Sequence, residues 1–318
     1  MQLSLQKSQQ IALQMPLRKG YYRMRLRTNI RNSPSDPSTG LPADLVGAFD
    51  EKVFPRFRIA TLDTLEWGRK RHHIPIMLEV DVTNARDAIR LQKEQTGESV
   101  SFTGWIIKCL AQAVAEHPHV HALRKGRGKL ITFRDVDVTI VVERAVGPSR
   151  AGARGTTLPM PYIIRRANDK SLAAIHAEIR GAQQAPVGDG ATQIGGAYAA
   201  SQVRLFSMLP KFVRDLIVWR RLQRDPFFMK RMMGTVSVTS IGMAGHGGIG
   251  WGIPLGIHPL ILAVGGISPR PLFVDDRLLT REHLGLTVLF DHDVTDGAPV
   301  ARFVSQLQEL MESAYGLA

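Results

Sequence analysis

The sequence lacks the features that mark several common classes of protein. It has a single cysteine, Cys109, among 318 residues, which excludes an internal disulfide framework and any zinc or redox site of the Cys-x-x-Cys type. No apolar run reaches about 18 residues, the length that a membrane-spanning helix needs, and no signal peptide opens the chain. We therefore expect a cytoplasmic protein, and its 44% hydrophobic content suffices for a sizeable core.

Acidic residues are scarce in two segments, which together carry the net charge of +13. Residues 1–32 have seven Lys or Arg and no acid, and residues 198–233 have eight basic residues against two acids. An anionic partner should therefore meet one of these segments. We predict that residues 1–50 form a basic arm and linker and that residues 51–318 form one catalytic domain. No nucleic-acid-binding motif accompanies the basic residues, so nucleic acid is not the expected partner.

The second basic segment contains a pattern typical of an amphipathic helix, within an insertion at about 190–233. Its apolar and basic side chains fall at helical spacing, and they are Phe212, Val213, Leu216, Ile217 and Trp219 beside Lys211, Arg214, Arg220, Arg221 and Arg224. Such a helix lies on an anionic membrane surface or packs against protein, either its own domain or another subunit. Both interpretations stay open, and the first would make the protein peripheral to the membrane.

Three histidines, His117, His119 and His121, alternate around Pro118 and suggest a metal site. No third-ligand partner stands out elsewhere in the sequence, and packing at the end of the preceding helix is the simpler interpretation. Apolar periodicity predicts that helix over residues 101–116, another over 84–95, and a strand over 74–83. Residues 130–133 and 136–142 are predicted to form a hairpin that leads into a buried strand, and residues 171–179 a further helix.

The most informative stretch is a strand, a polar turn and a helix near the C-terminus. Leu286–Phe290 predicts a buried strand, and the apolar residues from Val300 onward have helical spacing, with Asp296 as a possible N-cap. The turn between them holds His292, whose imidazole titrates near neutral pH and can accept and return a proton. The alternatives are an ordinary solvated turn, or a metal site made by His292 with its neighbouring aspartates. We expect no metal, because no second cluster of ligands accompanies it.

The His-x-x-x-Asp-Gly pattern of this turn resembles the catalytic signature of the dihydrolipoyl acyltransferases of 2-oxoacid dehydrogenase complexes, which chloramphenicol acetyltransferase shares. Further segments resemble that family in the same order, over about residues 54–185 and 234–318. The resemblance implies that His292 is the general base and that Asp296 holds the loop by pairing with an arginine. The family's arginine falls on Arg56, and Arg58 is the alternative.

A second segment, residues 234–242, resembles the family's strand Gly-Thr-Phe-Thr-Ile-Ser-Asn-Leu-Gly. In that register the hydroxyl that stabilises the tetrahedral oxyanion belongs to Thr239, with its neighbour Ser240 as the alternative. Ser240 and Gly242 are expected beside the cofactor, coenzyme A. An ordinary packing role for a threonine on a strand is the competing interpretation.

The resemblance implies an α/β fold: a two-layer, chloramphenicol acetyltransferase-like sandwich in which helices cover a mixed sheet. It also implies homotrimers, or larger assemblies built from trimers, with each active site at a subunit interface. The expected reaction moves an acyl group between the thioester of acyl-CoA and a thiol or hydroxyl acceptor. Nothing resembles a lipoyl or subunit-binding domain, so any dihydrolipoyl group is expected to come from another chain. The alternative function is a non-catalytic or membrane-associated scaffold that keeps the trimer.

Overall fold

A six-stranded mixed sheet forms the centre of the computed structural model, which describes residues 49–51, 54–55, 58–146, 156–184, 206, 208–240, 250–274 and 276–317. The chain divides into two units, Met1–Val53 and Phe54–Ala318, and every element described below lies in the second. The eight strands are β1 (His73–Asp81), β2 (Leu123–Lys125), β3 (Lys129–Ile131), β4 (Val138–Val146), β5 (Thr156–Ile164), β6 (Val236–Ser240), β7 (Leu260–Val274) and β8 (Arg277–Asp291).

The order of strands in the sheet is β1-β8-β7-β6-β4-β5, and β2 and β3 form a separate ribbon. Strand β6 is parallel to both of its neighbours, β4 and β7, while the other pairs are antiparallel. The parallel pairs need long crossover connections, and the segment that joins β5 to β6 contains the helical insertion. Strands β7 and β8 form a long hairpin whose inner half is buried and whose outer half is largely exposed.

The helices of the described residues are α1 (Arg58–Gly68), α2 (Thr83–Thr96), α3 (Phe102–Glu116), α4 (Leu172–Gln184), α5 (Lys211–Arg214), α6 (Arg220–Arg224), α7 (Pro226–Met233) and α8 (Gly297–Glu312). Residues of α2, α3, α4 and α8 form the main hydrophobic core against one face of the sheet. A π-helical turn, Asp215–Trp219, joins α5 to α6, and two short 3₁₀ helices span Pro118–His121 and Ala167–Asp169. In the described residues no helix is both long and apolar enough to cross a membrane.

Helix α3 lies at the centre of the main core because most of its circumference is apolar. Ser101 caps it by accepting a hydrogen bond from the Gly104 backbone N–H at 3.1 Å, and the helix contacts α4 and α8. Trp105 is fully buried and donates through Nε1 to the Tyr315 carbonyl at 3.0 Å. Burial raises the pKa of the Cys109 thiol to about 12, so this residue is a small apolar side chain of the core, as its sequence context predicted.

Most of the predicted elements are confirmed, including the strand over residues 74–83 and the helices over 84–95 and 101–116. The hairpin predicted from residues 130–133 and 136–142 is wrong. Residues 129–131 pair with 123–125 instead, and β4 pairs with β5 and β6. A run of β-forming residues specifies a strand but not its partner.

A second hydrophobic cluster lies beneath the insertion and contains Leu123, Trp219, Leu222, Met229 and Ile257. The predicted amphipathic helix is present, but its buried side does not coincide with the predicted apolar face. Trp219 and Arg214 point inward, whereas Phe212, Leu216 and Ile217 are exposed. Arg214 can be buried because its guanidinium pairs with the Asp63 carboxylate at 2.7 Å, which offsets the loss of its hydration.

Candidate active site

His292 lies immediately after the end of β8, in the turn that leads to α8. Its side chain is 44% exposed, and its backbone N–H donates to the His72 carbonyl at 3.0 Å. The imidazole ring is 5.9 Å from the ring of Phe290. Asp296 occupies the N-cap position of α8, as the sequence predicted, but its side chain makes no capping hydrogen bond. The structure thus presents an accessible imidazole on a turn whose backbone is hydrogen-bonded to His72, the residue before β1.

A buried ion pair fixes the start of this turn. Asp291 is fully buried, and its Oδ2 accepts a hydrogen bond from Nη1 of Arg71 at 2.8 Å. The other carboxylate oxygen accepts from the backbone N–H of Asp293 at 3.1 Å, and the backbone N–H of Asp291 donates to Pro259 at 2.8 Å. Each charge and each oxygen therefore has a partner, which is the condition for keeping a carboxylate in the interior.

A second acidic residue of the turn, Asp293, lies between the side chains of His72 and Arg124. Its carboxylate is 2.9 Å from Nδ1 of His72 and 3.5 Å from Nη1 of Arg124. The hydrogen bond with Asp293 raises the pKa of His72, and the same bond lowers the pKa of Asp293. An open depression of about 530 Å³ is lined by His72 and Asp293 together with His73, Ile74 and His292. A larger crevice of about 760 Å³, between α1 and α5, contains none of the predicted site residues.

The arginine partner predicted for Asp296 is not among the described residues. Arg56 lies outside them, and Arg58, the first residue of α1, makes no ion pair with Asp296. The carboxylate of Asp296 is 4.0 Å from Nδ1 of His292 and its side chain is 85% exposed. Within the described part of the chain, the arginine–aspartate pair that anchors this turn is Arg71 with Asp291.

Thr239 lies near the end of β6, on the sheet face opposite the main core. Val236 and Val238 are buried in that core, and side chains alternate between the two faces of a strand. Thr239 therefore points away from the main core, whereas Ser240 points to the same side as Val238. Gly242, the other residue expected beside coenzyme A, lies outside the described residues.

One chain does not bring Thr239 and His292 together. Thr239 is opposite Ala263 on β7, which is opposite Thr287 on β8, and His292 follows Thr287 by five residues. Five residue rises and two strand spacings separate the two side chains by about 20 Å. The general base must lie within about 3 Å of the acceptor atom, and the oxyanion donor within about 3 Å of the carbonyl oxygen that this acceptor attacks. A separation of about 20 Å is too large for both, so the pair can serve one reaction only if the two residues come from different subunits.

Two histidines near the starts of β6 and β7, His121 and His258, are buried and neutral. Burial lowers the pKa of His121 and of His258 to about 4. His121 donates through Nε2 to the Phe133 carbonyl at 3.1 Å, and its Nδ1 accepts from the Thr235 hydroxyl at 2.8 Å. His258 donates through Nε2 to the Met233 carbonyl at 2.7 Å. These rings bridge loops to strands and are structural. No group of three ligand-type side chains that could hold a metal occurs among the residues for which positions are given.

The sheet, its helical cover and the strand-end histidine define an α/β protein of acyltransferase architecture. The family model of the 2-oxoacid dehydrogenases acyltransferase (catalytic domain) matches residues 53–187 and 229–318, more than half of the chain. The chain therefore belongs to this family. The unmatched residues between the two ranges include α5, the π-helical turn and α6.

Curated relatives agree with this assignment. The chain is 25% identical over 284 residues to the lipoamide acyltransferase component of the branched-chain alpha-keto acid dehydrogenase complex of Bacillus subtilis, with 86% of this chain and 55% of the relative covered. It is 23% identical over 269 residues to the dihydrolipoyllysine-residue succinyltransferase component of the 2-oxoglutarate dehydrogenase complex of Staphylococcus saprophyticus, with 83% and 52% covered. The chain spans about half the length of these relatives.

Solved structures show the same fold. The dihydrolipoamide acetyltransferase of Azotobacter vinelandii has a TM-score of 0.60 and 20% identity, with 90% of this chain and 99% of that chain covered. A probable dihydrolipoamide acetyltransferase of Listeria monocytogenes has a TM-score of 0.56 and 22% identity, with 84% and 95% covered. The cubic core of a pyruvate dehydrogenase multienzyme complex has a TM-score of 0.59 and 20% identity, with coverage of 90% and 99%. The predicted fold class, helices over a mixed α/β sheet, is confirmed.

Sequence reasoning missed Arg71, His72 and Arg124, three side chains that contact the aspartates of the His292 turn. Arg71 and Asp291 are 220 residues apart in the chain. The only local signal was that Arg71 and His72 directly precede a strand that was expected to lie in the core, which places them at a sheet edge. No spacing rule identifies the carboxylates that they contact.

Proposed function

We propose that this chain is a CoA-dependent acyltransferase in which His292 is the general base. Its exposed ring, at the edge of a depression and on a turn anchored by the Arg71–Asp291 pair, is the observation that carries the proposal. The acceptor is a thiol or hydroxyl, and thiols of the dihydrolipoyl type are the first to test, because the relatives are named for lipoamide and dihydrolipoyllysine.

The first step is proton abstraction from the acceptor. His292 takes the proton, and the thiolate or alkoxide attacks the thioester carbonyl of acyl-CoA. A positioned base of this kind contributes about 10²–10⁴-fold to the rate. The tetrahedral intermediate then expels the CoA thiolate, which takes the proton back from the imidazolium, so the acyl group is transferred and the base is regenerated.

The oxyanion of that intermediate needs a donor, and Thr239 is the proposed one. Its position on the sheet face away from the core leaves its hydroxyl free to meet a neighbouring molecule, whereas Ser240 points to the opposite face. Removal of one such donor costs about 10²–10³-fold in the rate constant for turnover. We assign Ser240 and Gly242 to the binding of coenzyme A, and to Asp296, paired with Arg56, the role of fixing the loop.

The separation of about 20 Å between Thr239 and His292 within one chain supports an active site shared by two subunits. We therefore propose a homotrimer in which His292 of one protomer faces Thr239 of the next. Two solved relatives fit this proposal. One forms a cubic multienzyme core. In the other, the A. vinelandii protein, a serine, a histidine and an asparagine four residues after it were investigated for their role in catalysis, and His292 and Asp296 have the same four-residue spacing.

Complementation between inactive variants tests both the chemistry and the shared site. His292→Ala and Thr239→Ala should each lose at least about 100-fold of thioester turnover, while Ser240→Ala should lose far less. Co-expressed in equal amounts, the two inactive chains should recover about a quarter of wild-type activity, because one interface in four pairs an intact histidine with an intact threonine. No recovery would place the site within one chain.

The same assay separates catalysis from the scaffold alternative. A panel of acyl-CoAs against dihydrolipoamide, other small thiols, amines and alcohols should give turnover that depends on His292. A folded trimer with no turnover across the panel would exclude the proposed chemistry and leave the scaffold function.

A further inference from the structure

The insertion presents an apolar surface that no other described residue covers. Phe212, Leu216 and Ile217 are 71%, 59% and 57% exposed. All three lie in α5 or in the π-helical turn that follows it. A π-helical turn is rare and is found often at functional sites. We call these three side chains the docking face.

The backbone behind the docking face is held firmly. Nε and Nη2 of Arg214 donate to the two carboxylate oxygens of Asp63 at 2.7 and 3.1 Å, and Nε1 of Trp219 donates to the same carboxylate at 3.2 Å. Nε1 of Trp67 donates to Asp215 at 3.0 Å. Because these bonds fix the rotation of the helical segment, the exposure of the docking face is a property of the fold and not of a loosely attached helix.

Arginines continue the same surface toward the C-terminal end of the insertion. Arg220, Arg221 and Arg224 are exposed, and none of them forms an ion pair with another described residue. Arg221 stacks on the ring of Phe228, with its guanidinium carbon 4.5 Å from the ring centroid. By contrast, Lys211 is neutralised by Glu66 and Asp215. The docking face is therefore flanked by three cationic groups whose charge no described residue compensates.

We propose that the docking face and these arginines bind an anionic membrane surface. Aromatic and branched apolar side chains beside free arginines are the composition of helices that lie in the interface between headgroups and acyl chains. A nucleic acid would use the arginines but would leave the apolar side chains in water. A second copy packed face to face would bring arginines against arginines, which is repulsive.

Vesicle co-sedimentation of the full chain tests this proposal. Vesicles of phosphatidylcholine with about one third phosphatidylserine should bind the protein, and vesicles of phosphatidylcholine alone should bind it much less. Removing two arginines with Arg220→Gln/Arg224→Gln should weaken binding by about 30-fold, since each basic residue near such a surface contributes about fivefold. Phe212→Ser/Leu216→Ser/Ile217→Ser should weaken binding at least as much.

Matched variants elsewhere on the surface are the controls. Leu272, Phe273 and Leu278 at the outer end of the β7–β8 hairpin are also exposed, and their triple serine variant should bind vesicles like the wild type. Arg127→Gln/Lys129→Gln in the β2–β3 turn should reduce binding only slightly. Vesicle binding that none of the insertion variants weakens, or no binding by the wild type, would overturn the proposal.

Size-exclusion chromatography with light scattering identifies the competing occupant. If the triple serine variant of the docking face changes the oligomeric state, the face is a contact between copies of this chain and the membrane proposal is wrong. An unchanged oligomer that has lost vesicle binding supports it. Because vesicle binding and oligomeric state are measured without a substrate, this result is independent of the proposed reaction.

Discussion

Replacing Arg71 with alanine should destabilise the protein strongly, because it leaves the Asp291 carboxylate without its cation. The side chain of Asp291 is 0% exposed and that of Arg71 only 13%. Loss of one partner of a buried ion pair costs about 3–5 kcal/mol. Nε of Arg71 is itself buried and has no hydrogen-bond partner among the described residues. Its removal offsets part of this cost, so we expect a loss of about 3 kcal/mol in the free energy of unfolding.

Denaturant unfolding and calorimetry measure this effect, and we expect a fall in melting temperature on the order of 10 °C. Asp291→Asn should cost less, about 1–3 kcal/mol, because the remaining cation of Arg71 has some access to water. The control is Arg281→Ala, which removes a partly exposed ion pair with Asp81 at 2.7 Å and should cost about 1 kcal/mol or less. If Arg71→Ala costs no more than Arg281→Ala, the buried pair does not anchor the turn.

Two further substitutions examine the core and the pH dependence of stability. Gly265→Ala should lower the melting temperature by several degrees, because a Cβ atom there would overlap the carbonyl oxygen of Gly250; an unchanged melt would contradict this close approach of two backbones. Burial lowers the pKa of His121 and His258 from 6.5 to about 4. Between these two pH values the unfolded chain binds protons that the folded chain does not. The free energy of unfolding should therefore fall as the pH drops from 6.5 to 4, by up to about 3 kcal/mol for each histidine. Denaturant unfolding at pH 7 and pH 4.5 measures this loss, which His258→Asn should reduce; the same loss in the variant and the wild type would refute the assignment.

The strand, the turn and the helix around His292 were predictable because their signals are local. Apolar spacing places the end of β8 and the face of α8, and Asp296 stands at the N-cap where expected. The capping hydrogen bond itself is absent, since the side chain of Asp296 points into solvent. Residue type thus identified the position but not the orientation of the side chain.

Long-range partners were not predictable in this way. Arg214 has the spacing of a surface arginine, yet it is buried because Asp63, 151 residues earlier in the chain, compensates its charge. Strand β4, which was predicted to pair with residues 130–133 just before it, pairs instead with β5 and with β6, both of which come later in the chain. In each case the deciding contact involves an element whose location only the complete fold determines.

The bonds from α1 to the insertion have a practical consequence for shortening the chain. Asp63 and Trp67 both belong to α1, and Arg71, which holds the His292 turn, follows the end of that helix by three residues. Deleting residues 206–233 would leave Asp63 with no cation and would expose the underside of α1. A minimal catalyst should therefore keep the backbone and inward side chains of the insertion, and only its outward side chains are open to redesign.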